Sequence, residues 1–380
     1  DPGSPWAIGA AEGGHDAIHP ELGDLDDFAR LVARARELGL ELALDLALQC
    51  SPDHPWLAAH PDWFRKRPDG TIAYAENPPK RYEDIVGLDW DSPSWRGLWN
   101  AVLAVVTTWV ERGVHVFRVD NPHTKPFALW EWLIPEVRRR HPEVVFLAEA
   151  FTRPAPLRTL AKLGFAQSYT YFTWRTTRRE LTAYVEELAR ETAGYLRPNF
   201  FANTPDILHA SLVEGGRPAF EARLVLAATL SPSYGIYSGY EACENVPVRP
   251  GSEEYLDSEK YERKERRLEG PLLPLLGRLN AARRAHPALR RFENVAWCET
   301  HNDQLVAYAK REEEDVVVTV VNLDPFAEQE GLCIVPWELG LPDQFPVDDL
   351  LSGTSFSWRT GRNYVRLAPG GAHVLAPGRP

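Results

Sequence analysis

Carboxylates sit within or at the ends of apolar runs in this sequence: Asp45 in ELALDLAL, Asp120 in FRVDN and Glu149 in FLAEA, with Asp206 just after FFAN in FFANTPD. A carboxylate pair of which one member is ionised and the other protonated is the equipment of glycoside chemistry. Side chains alternate along a strand, so Arg118 and Asp120 share one face while Phe117 and Val119 take the other. An Arg two residues before an Asp can hold that carboxylate ionised and oriented. Glu149 closes an apolar strand, a setting that favours the protonated acid and suits proton donation. Taken singly, each carboxylate reads equally well as a cap or as half of a buried ion pair. As a set they are spaced 149 − 120 = 29 and 206 − 149 = 57 residues apart, intervals that successive and then skipped strand–helix units would supply. HExxH and GxSxG do not occur, and His54, His115, His123 and His209 are scattered as hydrogen-bonding or packing residues would be. Neither a metal nor a cofactor is expected.

The elements that must position these groups alternate. Helical periodicity runs from Asp24 to Leu38, with Phe28, Leu31, Val32 and Ala35 on one face and Gly39 at its end. The apolar run Glu41 to Leu48 then predicts a strand buried on both faces. Helices are predicted at Trp95 to Arg112 and Ala128 to Arg140, and strands at Val114 to Val119 and Val144 to Glu149. Further strands fall at Phe165 to Tyr169, Asn199 to Ala202 and Tyr234 to Tyr237. The later helices fall at Thr176 to Thr192, Pro205 to Leu230 (broken near Gly215-Gly216) and Pro271 to Arg284. Alternating units imply a parallel sheet, and without GxGxxG or GxxxxGK[ST] the closed (β/α)8 barrel is favoured over the open nucleotide-binding sheet. Residues 50–91 form a long polar insertion of the kind that builds sites over barrel strands. The barrel portion is assigned to 1–288. Residues 289–380, with short alternating runs at 295–300, 304–310, 316–322 and 363–367, read as an antiparallel β-domain. Six barrel strands are visible where eight are needed, so the first two are expected upstream of Asp1.

The 380 residues carry 42 Lys and Arg against 54 Asp and Glu, a net charge of −12, the wrong sign for attraction to nucleic acid or an anionic membrane. No apolar stretch approaches the roughly 18 to 20 residues of a membrane span. Four cysteines without a CxxC pair fit a reducing cytoplasm. A chain of this length that opens on Asp1 and contains no Met reads as a piece of a longer or processed protein. Thirteen Trp, 13 Tyr and 15 Phe are more rings than a core alone demands, and flat rings also stack on sugar faces.

The blocks ALDLALQCSPDHPW, NPPKRY, FRVDNPHTKP, FLAEAFTRP, FFANTPDIL, ATLSPSYGIYSGYE and EEYLDSEKYE resemble the bacterial maltosyltransferases of the α-amylase superfamily, which extend α-1,4-glucan from α-maltose 1-phosphate. The resemblance implies Asp120 as nucleophile, Glu149 as general acid and base, and Asp206 as the residue that stabilises the transition state, with Asp45 and Arg118 in support. It implies phosphate contacts from Asn77, Lys80, Tyr82 and Asn121, and a second glucose held by Lys260 and Tyr261. Gln49-Cys50 and Thr204-Pro205 stand where ordinary amylases carry Asn-His and a His before the last catalytic Asp, and both fit the maltosyltransferases. Lys80-Arg81 reads equally as a solvated loop pair, and Lys260 with Tyr261 as part of an exposed charged helix. The partners implied are maltose 1-phosphate, an α-1,4-glucan and a second copy in a homodimer. The competing readings are an α-glucan hydrolase or trehalose-forming isomerase on the same barrel, and a noncatalytic glucan-binding protein.

Overall fold

The computed structural model describes residues 6–77, 80–256, 258, 264–266 and 269–378, without the side chains of Asn77 and Lys80. The chain forms two compact units, one up to Ser168 and one from Tyr169 onward.

In the first unit, Asp24 caps α1 (Leu25–Glu37) by accepting the N–H groups of Asp26 and Asp27, and the Asp27 carboxylate accepts the Asp24 N–H in return. Gly39, at φ +70°, ends the helix as the sequence predicts. Val32 and Ala35 are buried, and Phe28 packs edge-on to Trp109, but Leu31 lies on the flank and is exposed. β1 (Ala43–Leu46) is followed by β2 (Gln49–Cys50) and a short α2 (Pro55–Ala59). β3 (Tyr74–Asn77) and β4 (Lys80–Gly87) form a small antiparallel sheet with β2, in order β2-β4-β3. The insertion is thus a folded platform rather than a plain loop.

α3 (Trp95–Glu111) leads into β5 (Val116–Asp120), α4 (Phe127–Arg138) into β6 (Val145–Glu149), and α5 (Pro154–Lys162) into β7 (Gln167–Tyr169). β1, β5, β6 and β7 pair in parallel in that order, with Asp45 beside Arg118 and Asp120 beside Glu149. Partners in a parallel ladder point the same way, so one face carries Asp45, Arg118, Asp120 and Glu149. The opposite face presents Phe117, Val119, Phe146 and Ala148, all buried, with the Phe117 and Phe146 rings stacked at 5.7 Å. β1 departs from the expected doubly buried strand. Ala43 and Asp45 are exposed, because among the described residues β1 pairs only with β5.

In the second unit, Thr177 and Glu180 form a capping box for α6 (Arg178–Glu187), and a π turn carries the helix on to Thr192. β8 (Pro198–Phe201) and β9 (Ser233–Gly235) are parallel neighbours joined through α7 (Ala210–Leu230). α7 kinks at Gly216, whose φ of 52° and ψ of −149° only glycine adopts readily, at the predicted break. Residues 205–209, predicted helical, instead form a tight turn in which Thr204 and Ile207 exchange backbone hydrogen bonds. After α8 (Leu273–Ala285) come the antiparallel strands β10 (Val295–Thr300), β11 (Leu305–Glu312), β12 (Asp315–Asn322), β13 (Gln329–Val335), β14 (Gln344–Asp349), β15 (Ser355–Arg359), β16 (Gly361–Leu367) and β17 (Ala372–Pro377). Their order is β15-β14-β17-β12-β11-β10-β13-β16, around a core of Leu305, Val318, Val320, Val347 and Leu375. This sheet is tied to α7 by the wholly buried Lys310, whose Nζ donates to the Leu230 carbonyl at 3.1 Å.

A buried imidazole pair links β1 to the platform. The Trp56 N–H donates to His54 Nδ1 at 3.0 Å, so the His54 proton sits on Nε2 and is donated to His15 Nδ1 at 3.0 Å. His15 Nε2–H then donates to the Ala47 carbonyl at 2.8 Å. Gly9, at φ +89°, and Gly14 allow the N-terminal loop to close on this pair, since a Cβ at either would lie 2.4 or 2.6 Å from the His54 ring. Burial is the main cause that lowers both imidazoles to about 4. The unfolded chain takes up protons below about pH 6.5 that the folded pair refuses until about pH 4, so stability must fall as pH drops through that window. The loss by pH 5 should be on the order of 2 kcal/mol per imidazole. In denaturant melts at pH 7 and pH 5, His54→Asn should flatten this acid slope; an unchanged slope would contradict a neutral buried pair.

Candidate active site

β5 ends at Asp120, and Asn121 turns the chain at once into a left-handed conformation (φ 44°, ψ 54°) before the 3-10 turn Pro122–Thr124. Asn tolerates this region better than most residues with a Cβ. The turn is pinned by Trp130, whose indole N–H donates to the Pro122 carbonyl at 2.9 Å, and by Thr124, whose hydroxyl donates to the Asn121 carbonyl at 2.8 Å. It aims the Asn121 N–H at Glu149 Oε2, 3.1 Å away on the neighbouring strand end.

Arg118 lies among three carboxylates. Its Nη1 is 2.7 Å from Asp45 and 3.5 Å from Asp120, and its Nη2 is 3.5 Å from Glu149. The Arg118, Asp120 and Glu149 side chains are about nine-tenths buried, and the Asp45 side chain is 46% exposed. The Trp6 ring covers the guanidinium at 5.1 Å, and the Trp6 carbonyl accepts a 3.0 Å bond from Gln49. Glu149 therefore meets a cation and a backbone N–H, not the purely apolar pocket its strand suggests.

Two neighbours have no assigned role in the sequence reading. Lys125 is buried, and its Nζ reaches Thr124 Oγ1 at 3.0 Å and the carbonyl oxygens of Asp120 and Asn121 at 3.4 Å. His123 Nδ1 is buried without a hydrogen-bond partner, and desolvation pulls its pKa down. The only available signal for either was the polar block DNPHTKP itself.

Tyr82 is exposed on β4, and the side chains of Asn77 and Lys80 lie outside the described residues, as do Lys260 and Tyr261 entirely. In the second unit, Asp206 sits half-buried in the Asn203–Leu208 turn, its N–H donating to Thr204 Oγ1 at 3.2 Å. Asn203 holds that turn by donating to the Tyr255 hydroxyl at 2.6 Å and accepting the Tyr237 N–H at 2.7 Å. A cavity of about 200 Å³ in this unit is lined by Thr176, Ser211, Glu214, Arg223 and Phe326 among others, and does not include Asp206. His15, Cys50 and His54 bring ligand-type atoms within 4.8 Å of one another. The imidazole hydrogen bonds already commit the facing ring nitrogens, and burial pushes the Cys50 thiol up, so it stays protonated.

Solved α-amylases share the fold. The match is at TM-score 0.77 with the enzyme of Geobacillus thermoleovorans (14% identity, covering 97% of this chain and 84% of that one). It is at TM-score 0.75 with a noncanonic maltogenic α-amylase of Thermotoga neapolitana (16% identity, 99% and 86%). By fold the chain is an α-amylase-type barrel with a C-terminal antiparallel β-domain. Its sequence is more specific. Residues 297–376 match the family description "GLGE, C-terminal". The whole chain is 58% identical to the α-1,4-glucan:maltose-1-phosphate maltosyltransferase 2 of Streptomyces coelicolor, and 97% of it is 57% identical to the corresponding enzyme of Rhodospirillum rubrum. The chain is thus similar over nearly all of its length to these two enzymes, and spans 58% and 55% of their length.

Replacing Arg118 with Leu should leave three carboxylates facing one another without their shared cation. Breaking a buried ion pair from one side costs about 3–5 kcal/mol. The cost should appear as a lowered denaturation midpoint at pH 7 and be partly recovered at pH 4, where carboxylates protonate. A pH-independent loss would mean that Arg118 acts by packing alone.

Proposed function

We propose that this chain carries the catalytic barrel of a retaining transferase that moves maltosyl units from α-maltose 1-phosphate to the non-reducing end of an α-1,4-glucan and releases phosphate. The observation that carries this reading is the meeting of Asp120 and Glu149 at one guanidinium on adjacent strand ends, in a chain whose relatives bear that name. A carboxylate Oδ of Asp120 attacks the anomeric carbon as the bond from that carbon to the phosphate oxygen breaks, giving a β-maltosyl ester. Glu149 gives its proton to the departing phosphate. The acceptor 4-hydroxyl then attacks the same carbon, its proton passes to Glu149, and the ester bond breaks to restore Asp120. Arg118 and Lys125 set positive charges beside the carboxylates of Asp45, Asp120 and Glu149.

Asp206 grips sugar hydroxyls in this reading and stabilises the transition state. Asn77, Lys80, Tyr82 and Asn121 receive the phosphate, with Lys80 as the cation, and Gln49, Lys260 and Tyr261 hold the sugars. The barrel occupies 1–288 and the β-domain 289–380. The setting is cytoplasmic, and the partner beyond the two sugars is a second copy. No described helix is long and apolar enough to cross a membrane.

Incubation of the protein with maltose 1-phosphate and maltohexaose should release inorganic phosphate and give products growing in two-hexose steps by mass. Single-hexose ladders, or products without phosphate release, would favour hydrolase chemistry instead. Lys80→Ala should lower kcat/KM for maltose 1-phosphate by roughly 10-fold to 150-fold, the effect of one charged hydrogen bond of about 1.5–3 kcal/mol. A maltosyl fluoride donor, which shares the sugar but not the dianion, should lose much less. Equal losses with both donors would make Lys80 a structural residue.

A further inference from the structure

Lys125 is a buried cation whose contacts the proposed chemistry does not require. An ammonium group has three N–H donors, and here they meet three acceptors: the Thr124 hydroxyl and the carbonyl oxygens of Asp120 and Asn121. Two of the three belong to the proposed nucleophile and the residue after it. The peptide joining Asp120 to Asn121 is therefore held at both ends, its oxygen by Lys125 and its N–H by Glu149 Oε2. The order ammonium, C=O, N–H, carboxylate follows the peptide dipole head to tail. Each charge strengthens the hydrogen bond at the other end, because a polarised carbonyl makes its own N–H a better donor. The same contacts hold Asn121 at positive φ, a conformation that persists in a residue with a Cβ only where its surroundings fix it.

We infer that Lys125 is a positioning residue for the proposed acid and base: it clamps the Asp120–Asn121 peptide so that the N–H stays on Glu149, and transmits its charge to that carboxylate across one peptide. This rests on the reading of Glu149 as the group that gives and takes the proton. The charged groups that act on Lys125 are Asp120, Glu149 and Arg65, with His123 facing it from the 3-10 turn. Burial lowers the lysine's own pKa, the two carboxylates oppose that shift, and Arg65 adds to it. A lysine that merely stapled the turn would affect folding and leave the proton affinity of Glu149 where it was.

The two roles separate in Lys125→Met, which keeps the length and removes the charge, with Lys125→Arg as the charge-conserving partner. In protein carrying a 13C label on Glu side-chain carboxyls, the Glu149 resonance is identified by its loss in Glu149→Gln, and its titration midpoint is read directly. Losing a neighbouring positive charge favours the protonated carboxyl, so Lys125→Met should raise the midpoint by about one pH unit. The low-pH limb of kcat/KM for the glucan acceptor, where Glu149 must be a free carboxylate to take the acceptor proton, should move up by the same amount, while Lys125→Arg should keep both within half that distance. If Lys125→Met fails to melt cooperatively, Lys125→Gln, with two neutral donors for the carbonyls, takes its place. An unmoved Glu149 midpoint in a folded neutral variant overturns the inference, as does an equal shift in Lys125→Arg. A shifted midpoint in a protein whose parent releases no phosphate from maltose 1-phosphate would uphold the clamp and reject the donor assignment.

Discussion

The buried guanidinium of Arg118 is answered by three carboxylates, and the geometry of the first unit follows from how they are brought to it. The parallel register sets Arg118 beside Asp45 and Asp120 beside Glu149, and the alternation of each strand turns all four side chains to one face. The other face is the apolar layer of Phe117, Val119, Phe146 and Ala148. Slipping the β5 register by one residue would send the charged set into that layer and the aromatic set into the site, so packing on one face enforces chemistry on the other. The N-terminal segment completes the arrangement by laying Trp6 over the guanidinium.

Strand ends position groups to within a strand spacing, whereas proton transfer needs more precision than that. The extra precision comes from the turn after Asp120. One left-handed residue, one 3-10 turn and the buried Lys125 fix the peptide that points at Glu149. The nucleophile and the acid/base in the proposed chemistry are thereby joined twice, through Arg118 from the side and through a single backbone amide from the turn.

Much of this was legible in the sequence where local rules act alone. The FRVDN alternation, the Asp-rich start and Gly39 end of α1, and the break at Gly215-Gly216 depend on neighbours in the chain and appear where expected. β1 reads as a buried strand because its composition is apolar, yet its exposure is set by how many strands flank it, which composition does not encode. α5 is hidden by Pro154 and Pro156, which look like breakers but fall in the first helical turn, where a missing N–H costs nothing. Only part of the C-terminal sheet shows, since β14 and β15 carry polar and Pro residues on their exposed face while Phe345, Val347 and Trp358 alternate inward. Lys125 is the least legible residue of the site. In PHTKP it looks like a solvated charge, and only the fold of the turn beneath β5 buries it.

The central claim is that Asp120 and Glu149, joined at Arg118, divide the work of nucleophile and proton carrier. Glu149→Ala should still accept a maltosyl group, because phosphate is a leaving group that departs with little help, but should pass it on slowly without a base for the acceptor hydroxyl. Intact-mass measurement of this variant after brief exposure to maltose 1-phosphate, followed by peptide mapping, should find one added maltosyl unit on the peptide containing Asp120. A protein that turns over the donor while the adduct never forms, or forms on a peptide without Asp120, would contradict the account.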